Sequence, residues 1–126
     1  MKLKNGHLLA LILIVATILR TYDLFNVPFT HDEFSALFRL QFDNFSELIA
    51  NGVRVDGHPA GIHVFLYYWT ALFGQAEWVV KLPFVLFGIA SIWLIFKIGK
   101  LWKNDTVGLI AASFMAVSQF TVMYSL

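Results

Sequence analysis

Two adjacent carboxylates, Asp32 and Glu33, lie in the stretch FTHDEFSALF, between apolar residues and directly after His31. A carboxylate at a membrane surface can act as a general base that takes a proton from an incoming hydroxyl group. It can also bind a divalent cation that neutralises a phosphate leaving group. Asp32 and Glu33 are therefore candidate catalytic residues, and either is the ligand of a divalent metal ion if the protein binds one.

A second polar cluster, RVDGHP, contains Arg54, Asp56 and His58. Guanidinium and imidazolium groups bind phosphate oxygens through charge-assisted hydrogen bonds. The chain between Asp32 and His58 is long enough to fold the two clusters together. We therefore predict that Arg54, Asp56 and His58 bind substrate close to the two carboxylates.

Both clusters also have a purely structural interpretation. Thr30-x-x-Glu33 fits a capping box, in which the Thr hydroxyl and the Glu carboxylate each bind a backbone N–H at the start of a helix. Asp32 would then be a first-turn acid favoured by the helix dipole. The segment around His58 fits a surface turn. The sequence by itself leaves these alternatives open.

The elements that must position these residues belong to a membrane protein. Of the 126 residues, 59% are hydrophobic and 13% are charged, whereas an average soluble domain is about half apolar and a quarter charged. Three apolar blocks, at about residues 8–25, 78–102 and 106–126, approach the roughly 20 residues that a helix needs to cross a bilayer. The net charge of +1 and the lack of a basic run argue against a nucleic-acid partner. The absence of cysteine excludes a thiolate metal site.

Basic residues set the expected orientation of the spans, because Lys and Arg favour the cytoplasmic side. The lysines that flank the spans are Lys2, Lys4, Lys97, Lys100 and Lys103. They predict a multi-pass protein of the inner (plasma) membrane with a cytoplasmic N-terminus. Residues 26–77 would form one extracytoplasmic loop. Arg20 and Asp23, at the outer end of the first span, are expected among the lipid headgroups.

The long loop contains signals for two helices that lie on the membrane surface. The capping box predicts a first helix that starts at Thr30, with a restart at Asp43 or Asn44 and an end at Asn51-Gly52. The second is predicted at residues 59–73, where Pro59 would lie in the first turn and the glycine that follows would end the helix. This helix carries rings favoured at the lipid–water boundary, namely Tyr67, Tyr68 and Trp69. The expected fold is therefore all-α, with three transmembrane helices, two surface helices and membrane lipids as partners.

The order of these features resembles the N-terminal part of the membrane glycosyltransferases with the C-type (GT-C) fold. After the first span, DE opens a loop helix and DGHP opens a second helix rich in Tyr and Trp. FG-x-x-E-x-x-x-K-L-P then leads into a second span, and a third span ends with YS. The resemblance covers about residues 8–126. It is greatest to the branch that includes protein O-mannosyltransferases and the aminoarabinose transferases of lipid A, which is glycosyltransferase family 39-like.

The resemblance implies transfer of a sugar from a polyprenyl-phosphate carrier to an acceptor hydroxyl of a lipid, glycan or protein outside the cytoplasm. It implies that Asp32 is the base, that Glu33 supports it, and that His58 lies near the carrier phosphate or the acceptor. Two positions depart from the family pattern. Ala60 replaces the second Pro of an HPP motif, and Lys81 replaces an Arg, which keeps the charge but not the bidentate fork.

Members of this family are much longer than this chain and place a second acidic residue in the next external loop. We therefore expect the chain to be an N-terminal fragment that is inactive alone. The alternative is a non-catalytic small membrane subunit or scaffold. The DNA downstream of codon 126 would distinguish this alternative from an enzyme fragment. A transporter is disfavoured because no predicted span has a charge near its centre.

Overall fold

The computed structural model describes residues 5–55 and 59–123, and the regular elements in these two ranges are helices. The all-α prediction is confirmed for this part of the chain. The helices are α1 (Asn5–Thr21), α2 (His31–Phe38), α3 (Phe45–Glu47), a π-helix (Leu48–Val53), α4 (Ala60–Phe73), α5 (Glu77–Trp102), α6 (Asp105–Val117) and α7 (Gln119–Met123). They form two compact units, which we call the terminal unit (residues 5–26 and 81–123) and the central unit (residues 27–80).

Helix α5 is, within the described ranges, the one helix that is long and apolar enough to cross a membrane by length and composition. Its 26 residues correspond to a length of about 39 Å. Helices α1 and α6 are apolar but shorter, with 17 and 13 residues. Large apolar side chains of α1 and α5 are exposed, among them Leu11, Ile14, Ile18, Leu94 and Ile98. An apolar outer surface of this extent is typical of helices that face lipid.

Small residues allow close packing in the terminal unit. Gly108, Ala112 and Ala116 lie four residues apart on α6 and are all buried. The two alanines form a core with Ala16 of α1 and Phe96 of α5. A Cβ atom at Gly108 would approach the Phe96 carbonyl oxygen to 2.5 Å, so glycine is required there. Helices in membranes commonly associate through such small residues, because their backbones can then approach closely.

Polar contacts fix the turn between α5 and α6. The Asp105 carboxylate lies 2.9 Å from Lys100 Nζ and accepts a hydrogen bond of 2.7 Å from Asn5 Nδ2. The hydrogen bond from Lys100 is the main cause of a lowered pKa at Asp105, and the hydrogen bond from Asn5 is the second. A carboxyl group whose pKa is lower in the folded than in the unfolded protein stabilises the folded state at pH values above its unfolded pKa. This stabilisation is lost as the pH falls through the pKa of the folded state. This turn is therefore expected to loosen in acid.

The third apolar block is not one continuous helix. Helix α6 ends at Val117, and Ser118 adopts an extended backbone conformation with φ −62° and ψ 121° before α7 begins. The last four carbonyl groups of any helix lack intrahelical donors. The Ser118 N–H satisfies the carbonyl of Phe114, but the carbonyls of Met115 and Ala116 need donors from elsewhere.

Arg20 of α1 donates to both carbonyls, and the Thr121 hydroxyl also donates to that of Met115, at 2.7 Å. The Arg20 side chain is 0% exposed, and its Nη1 donates to the Ala116 carbonyl at 3.0 Å. Its Nη2 donates to the Met115 carbonyl at 3.2 Å and to Thr121 Oγ1 at 3.2 Å. The sequence predicts lipid headgroups around Arg20, but protein surrounds it instead. The physical reason is that the break in the third block frees carbonyl oxygens within reach of the guanidinium group.

The central unit is organised around α4, whose buried side carries His63, Leu66 and Thr70. Helix α4 contacts the π-helix. It starts after Pro59 and ends at Gly74, whose φ of 92° is readily adopted only by glycine. The prediction of a helix at residues 59–73 is confirmed, with Pro59 in the N-cap position rather than in the first turn.

The segment before α4 confirms one prediction and corrects another. Asn44 caps α3 by accepting a hydrogen bond of 2.9 Å from the Glu47 N–H, so the predicted restart is confirmed at Asn44. Asn51 and Gly52 do not end the helix, because both lie within the π-helix. A Cβ at Gly52 would lie 2.7 Å from the Arg39 carbonyl oxygen, so this glycine serves close packing rather than termination.

Candidate functional site

The Asp–Glu pair lies in the first turn of α2, where Thr30 is the N-cap residue. The Thr30 N–H and Oγ1–H donate to Glu33 Oε2 at 2.7 Å and 2.9 Å. In return, the Glu33 N–H donates to Thr30 Oγ1 at 3.4 Å. The predicted capping box is therefore confirmed, and the Glu33 carboxylate is committed to the start of the helix.

Asp32 is in a different situation from its neighbour. Its side chain is fully exposed, and its carboxylate is 3.9 Å from Nδ1 of His31, which is also fully exposed. The N-terminus of a helix favours a negative charge in the first turn. Asp32 therefore presents an accessible carboxylate at a defined point on the central unit, as a group that must accept a proton from a substrate would require.

Glu33→Ala is expected to destabilise the protein by about 1 kcal/mol, because it removes the acceptor of the Thr30 hydrogen bonds at the helix start. Glu33→Gln is the matched control, since its amide oxygen can still accept from the Thr30 N–H. Denaturant unfolding followed by circular dichroism measures both variants. Equal losses would contradict a role for the capping hydrogen bonds.

Arg54 lies directly after the π-helix, and its N–H donates to the Ile49 carbonyl at 3.0 Å. Arg54 lines a cavity of about 290 Å³, together with Phe45, Ser46, Ile49 and Ala50. The guanidinium group of an arginine is suited to binding an anionic group such as a phosphate.

The two predicted clusters are only partly described. Asp56 and His58 lie outside the described residues. Within them, no hydrogen bond or ion pair joins Arg54 to Asp32. The association of the two clusters therefore stays a prediction.

The candidate metal ligands are the two carboxylates of the first turn. Residues 5–55 and 59–123 contain no group of three or more His, Asp or Glu side chains that could hold a metal ion. One oxygen of Glu33 already accepts two hydrogen bonds from Thr30. A divalent ion at Asp32 would thus take most of its oxygen ligands from water, from substrate or from other parts of the protein. The divalent metal ion also stays a prediction.

The aromatic residues of α4 make a contact that the sequence does not reveal. Trp69 Nε1–H donates to the Val79 carbonyl at 2.8 Å, which links α4 to the first turn of α5. The only sign of this contact in the sequence is Pro83, because proline has no N–H that could donate a helical hydrogen bond to the Val79 carbonyl. An apolar groove of about 570 Å³ runs along the same face of α4, lined by Ala60, Gly61, Val64, Phe65, Tyr68, Trp69 and Leu72.

Comparison with known proteins shows a family match. The sequence profile of the family described as dolichyl-phosphate-mannose-protein mannosyltransferase matches residues 57–126, which is more than half of the chain. The matched part includes α4, α5, α6 and α7, but not Asp32, Glu33 or Arg54. None of the curated proteins and none of the solved structures compared with the chain matches it.

Proposed function

Since this chain belongs to the dolichyl-phosphate-mannose-protein mannosyltransferase family, we propose that it forms part of an enzyme that transfers a sugar from a polyprenyl-phosphate carrier. The acceptor is a hydroxyl group of a lipid, glycan or protein on the extracytoplasmic side of the membrane. The family match over residues 57–126 is the observation that carries this proposal. The carboxylate of Asp32 also supports the proposal, because it is accessible on the surface of the central unit.

The proposed arrangement has three membrane crossings and a cytoplasmic N-terminus. Helix α5 has the length and composition of one crossing. Helix α1 is about 25 Å long, a little less than the roughly 30 Å of bilayer hydrocarbon. The break between α6 and α7 is compatible with a third crossing, because a membrane tolerates a broken helix where protein groups satisfy the freed carbonyls. Arg20 provides those groups.

In the proposed reaction, Asp32 acts as the general base. The acceptor hydroxyl donates a hydrogen bond to the Asp32 carboxylate, which takes the proton as the hydroxyl oxygen attacks the anomeric carbon. A new C–O bond forms, and the bond between the anomeric carbon and the carrier phosphate breaks. The phosphate leaves with the electron pair. Arg54 and His58 are proposed to bind the phosphate oxygens and so to stabilise the charge that develops there.

The difference between the two carboxylates supports the choice of Asp32 as the base. Glu33 accepts two hydrogen bonds from Thr30, which hold its carboxylate at the helix start. The Asp32 side chain is fully exposed. Glu33 is therefore proposed to keep the first turn of α2 in place, and thereby to position the base.

The proposal is tested by transfer from a labelled polyprenyl-phosphate sugar in membranes that contain the complete gene product. Polyprenyl-phosphate mannose and polyprenyl-phosphate aminoarabinose are the first donors to compare. The expected result is movement of label into an acceptor fraction, with no transfer from free sugar nucleotides. A correctly inserted protein that transfers none of the lipid-linked sugars supplied would contradict the proposal and favour a non-catalytic membrane subunit.

A further inference from the structure

A proline inside α5 leaves a backbone carbonyl without its usual donor. A proline in the first turn of a helix costs no helical hydrogen bond. Helix α5 begins at Glu77, so Pro83 lies in the second turn, where such a bond is lost. The missing N–H of Pro83 would have donated to the carbonyl of Val79, four residues earlier. Val79 is buried, with 5% of its surface exposed, so a carbonyl left without a donor there would be costly.

The indole of Trp69 occupies the place of the missing donor. Its Nε1–H donates to the Val79 carbonyl oxygen at 2.8 Å. The indole is itself held by neighbouring rings one turn before and one turn after it on α4. Its ring centroid is 5.8 Å from that of Phe65 and 4.4 Å from that of Phe73. The donor is therefore already oriented, and little side-chain freedom is lost when the bond forms.

We propose that Trp69 is a positioning residue whose indole N–H replaces the absent proline N–H and thereby fixes α4 to the first turn of α5. Between the two helices the chain turns at Gly74, which has a φ of 92°, and this bond closes the turn. Pro83 creates the acceptor and Trp69 fills it, so the two residues act as a pair although they lie on different helices.

One consequence rests on the proposed function. Helix α4 contacts the π-helix, and this π-helix ends directly before Arg54, which is proposed to bind the carrier phosphate. A less well fixed α4 would support the π-helix less well and let Arg54 move away from its position for donor binding. Loss of the Trp69 bond is therefore expected to raise KM for the lipid-linked donor several-fold, with kcat within about twofold of the wild-type value.

A double-mutant cycle in the complete protein separates the hydrogen bond from ring packing. Trp69→Phe keeps a ring but loses the donor, and amide hydrogen exchange of α4 is expected to become about tenfold faster. Pro83→Ala restores a backbone N–H that can donate to Val79. In the Pro83→Ala protein, Trp69→Phe is expected to change the rate of amide hydrogen exchange of α4 by less than about twofold. Trp93→Phe is the matched control, because Trp93 is an exposed ring on α5 that contacts Lys97, and it should leave α4 exchange unchanged.

Two results would overturn the inference. The first is an equal effect of Trp69→Phe with and without the Pro83→Ala substitution, because the ring and not the bond would then matter. The second applies if Trp69→Phe does not fold. Pro83→Ala alone should then make the Trp69 indole proton exchange with solvent several-fold faster. Unchanged exchange of this proton would refute the idea that the indole N–H takes the place of the missing proline N–H.

The activity measurement distinguishes this inference from the proposed function. If wild-type protein transfers no sugar, the proposed function fails, while the exchange cycle still tests the Trp69–Val79 bond. If transfer occurs and Trp69→Phe raises KM only where Pro83 is retained, the positioning role is supported. If KM does not change although α4 exchange does, the bond is structural and the positioning role is refuted.

Discussion

Asp32→Asn is expected to lower kcat for sugar transfer by about 10²–10⁴-fold, the usual contribution of a general base. Asparagine has nearly the same shape as aspartate but cannot take a proton from the acceptor hydroxyl. The side chain of Asp32 is fully exposed and belongs to no capping hydrogen bond. Folding and membrane insertion should therefore be unchanged. Single-turnover transfer of labelled sugar in purified membranes measures the effect.

The control for this variant is Asp43→Asn, which removes another exposed carboxylate of the central unit at a position outside the first turn of α2. Its kcat should stay within about twofold of the wild-type value, as expected for a surface charge remote from the reacting atoms. Normal turnover by Asp32→Asn would exclude Asp32 as the base. Equal losses in both variants would point to a general effect of charge rather than to proton transfer.

Arg20→Met is expected to destabilise the protein by about 2 kcal/mol, because the buried Ala116 carbonyl loses its charged donor and a buried group left unsatisfied costs about 1–3 kcal/mol. The neighbouring Met115 carbonyl also loses a bond from Arg20 but keeps the Thr121 hydroxyl as a donor at 2.7 Å. Methionine fills a similar volume, so the loss reports on the hydrogen bonds rather than on a cavity. Unfolding in detergent, followed by circular dichroism, gives the change in the free energy of unfolding.

Two further variants sharpen this prediction. Lys97→Met removes an exposed charge of α5 and should change stability by no more than about 0.5 kcal/mol. Arg20→Lys should lie between wild type and Arg20→Met, because an ammonium group cannot reproduce the planar fork that reaches several acceptors. The interpretation would be wrong if Arg20→Met were as stable as Lys97→Met.

Local features of this protein were predictable because the groups concerned lie within a few residues of one another. The capping box of Thr30 and Glu33, the restart at Asn44 and the stop at Gly74 are each formed by neighbouring residues. Their hydrogen bonds depend on backbone geometry that a short sequence already favours. The family resemblance was predictable for the same reason, since it depends on the order of such features along the chain. The family profile confirms it for residues 57–126.

The contacts that the sequence did not reveal join residues far apart in the chain. Arg20 and Ala116 are 96 residues apart, and nothing in the pattern around either residue indicates that the third apolar block breaks at Ser118. The close approach of Gly108 to Phe96 and the bond from Trp69 to Val79 are of the same kind. Such contacts depend on which helix faces meet, and apolar periodicity does not specify this when most faces are apolar.

The sequence by itself determined the helical character of the chain, the family to which it belongs and the position of the Asp–Glu pair at a helix start. Only the tertiary structure decided that Arg20 is enclosed by protein. That result depends on where the carbonyls of a distant broken helix come to lie. The structure also separated the roles of two adjacent acids, because hydrogen-bond geometry directs Glu33 towards Thr30 and leaves Asp32 exposed. Residue types can indicate a reaction, but the atoms available for it depend on contacts that form when the chain folds.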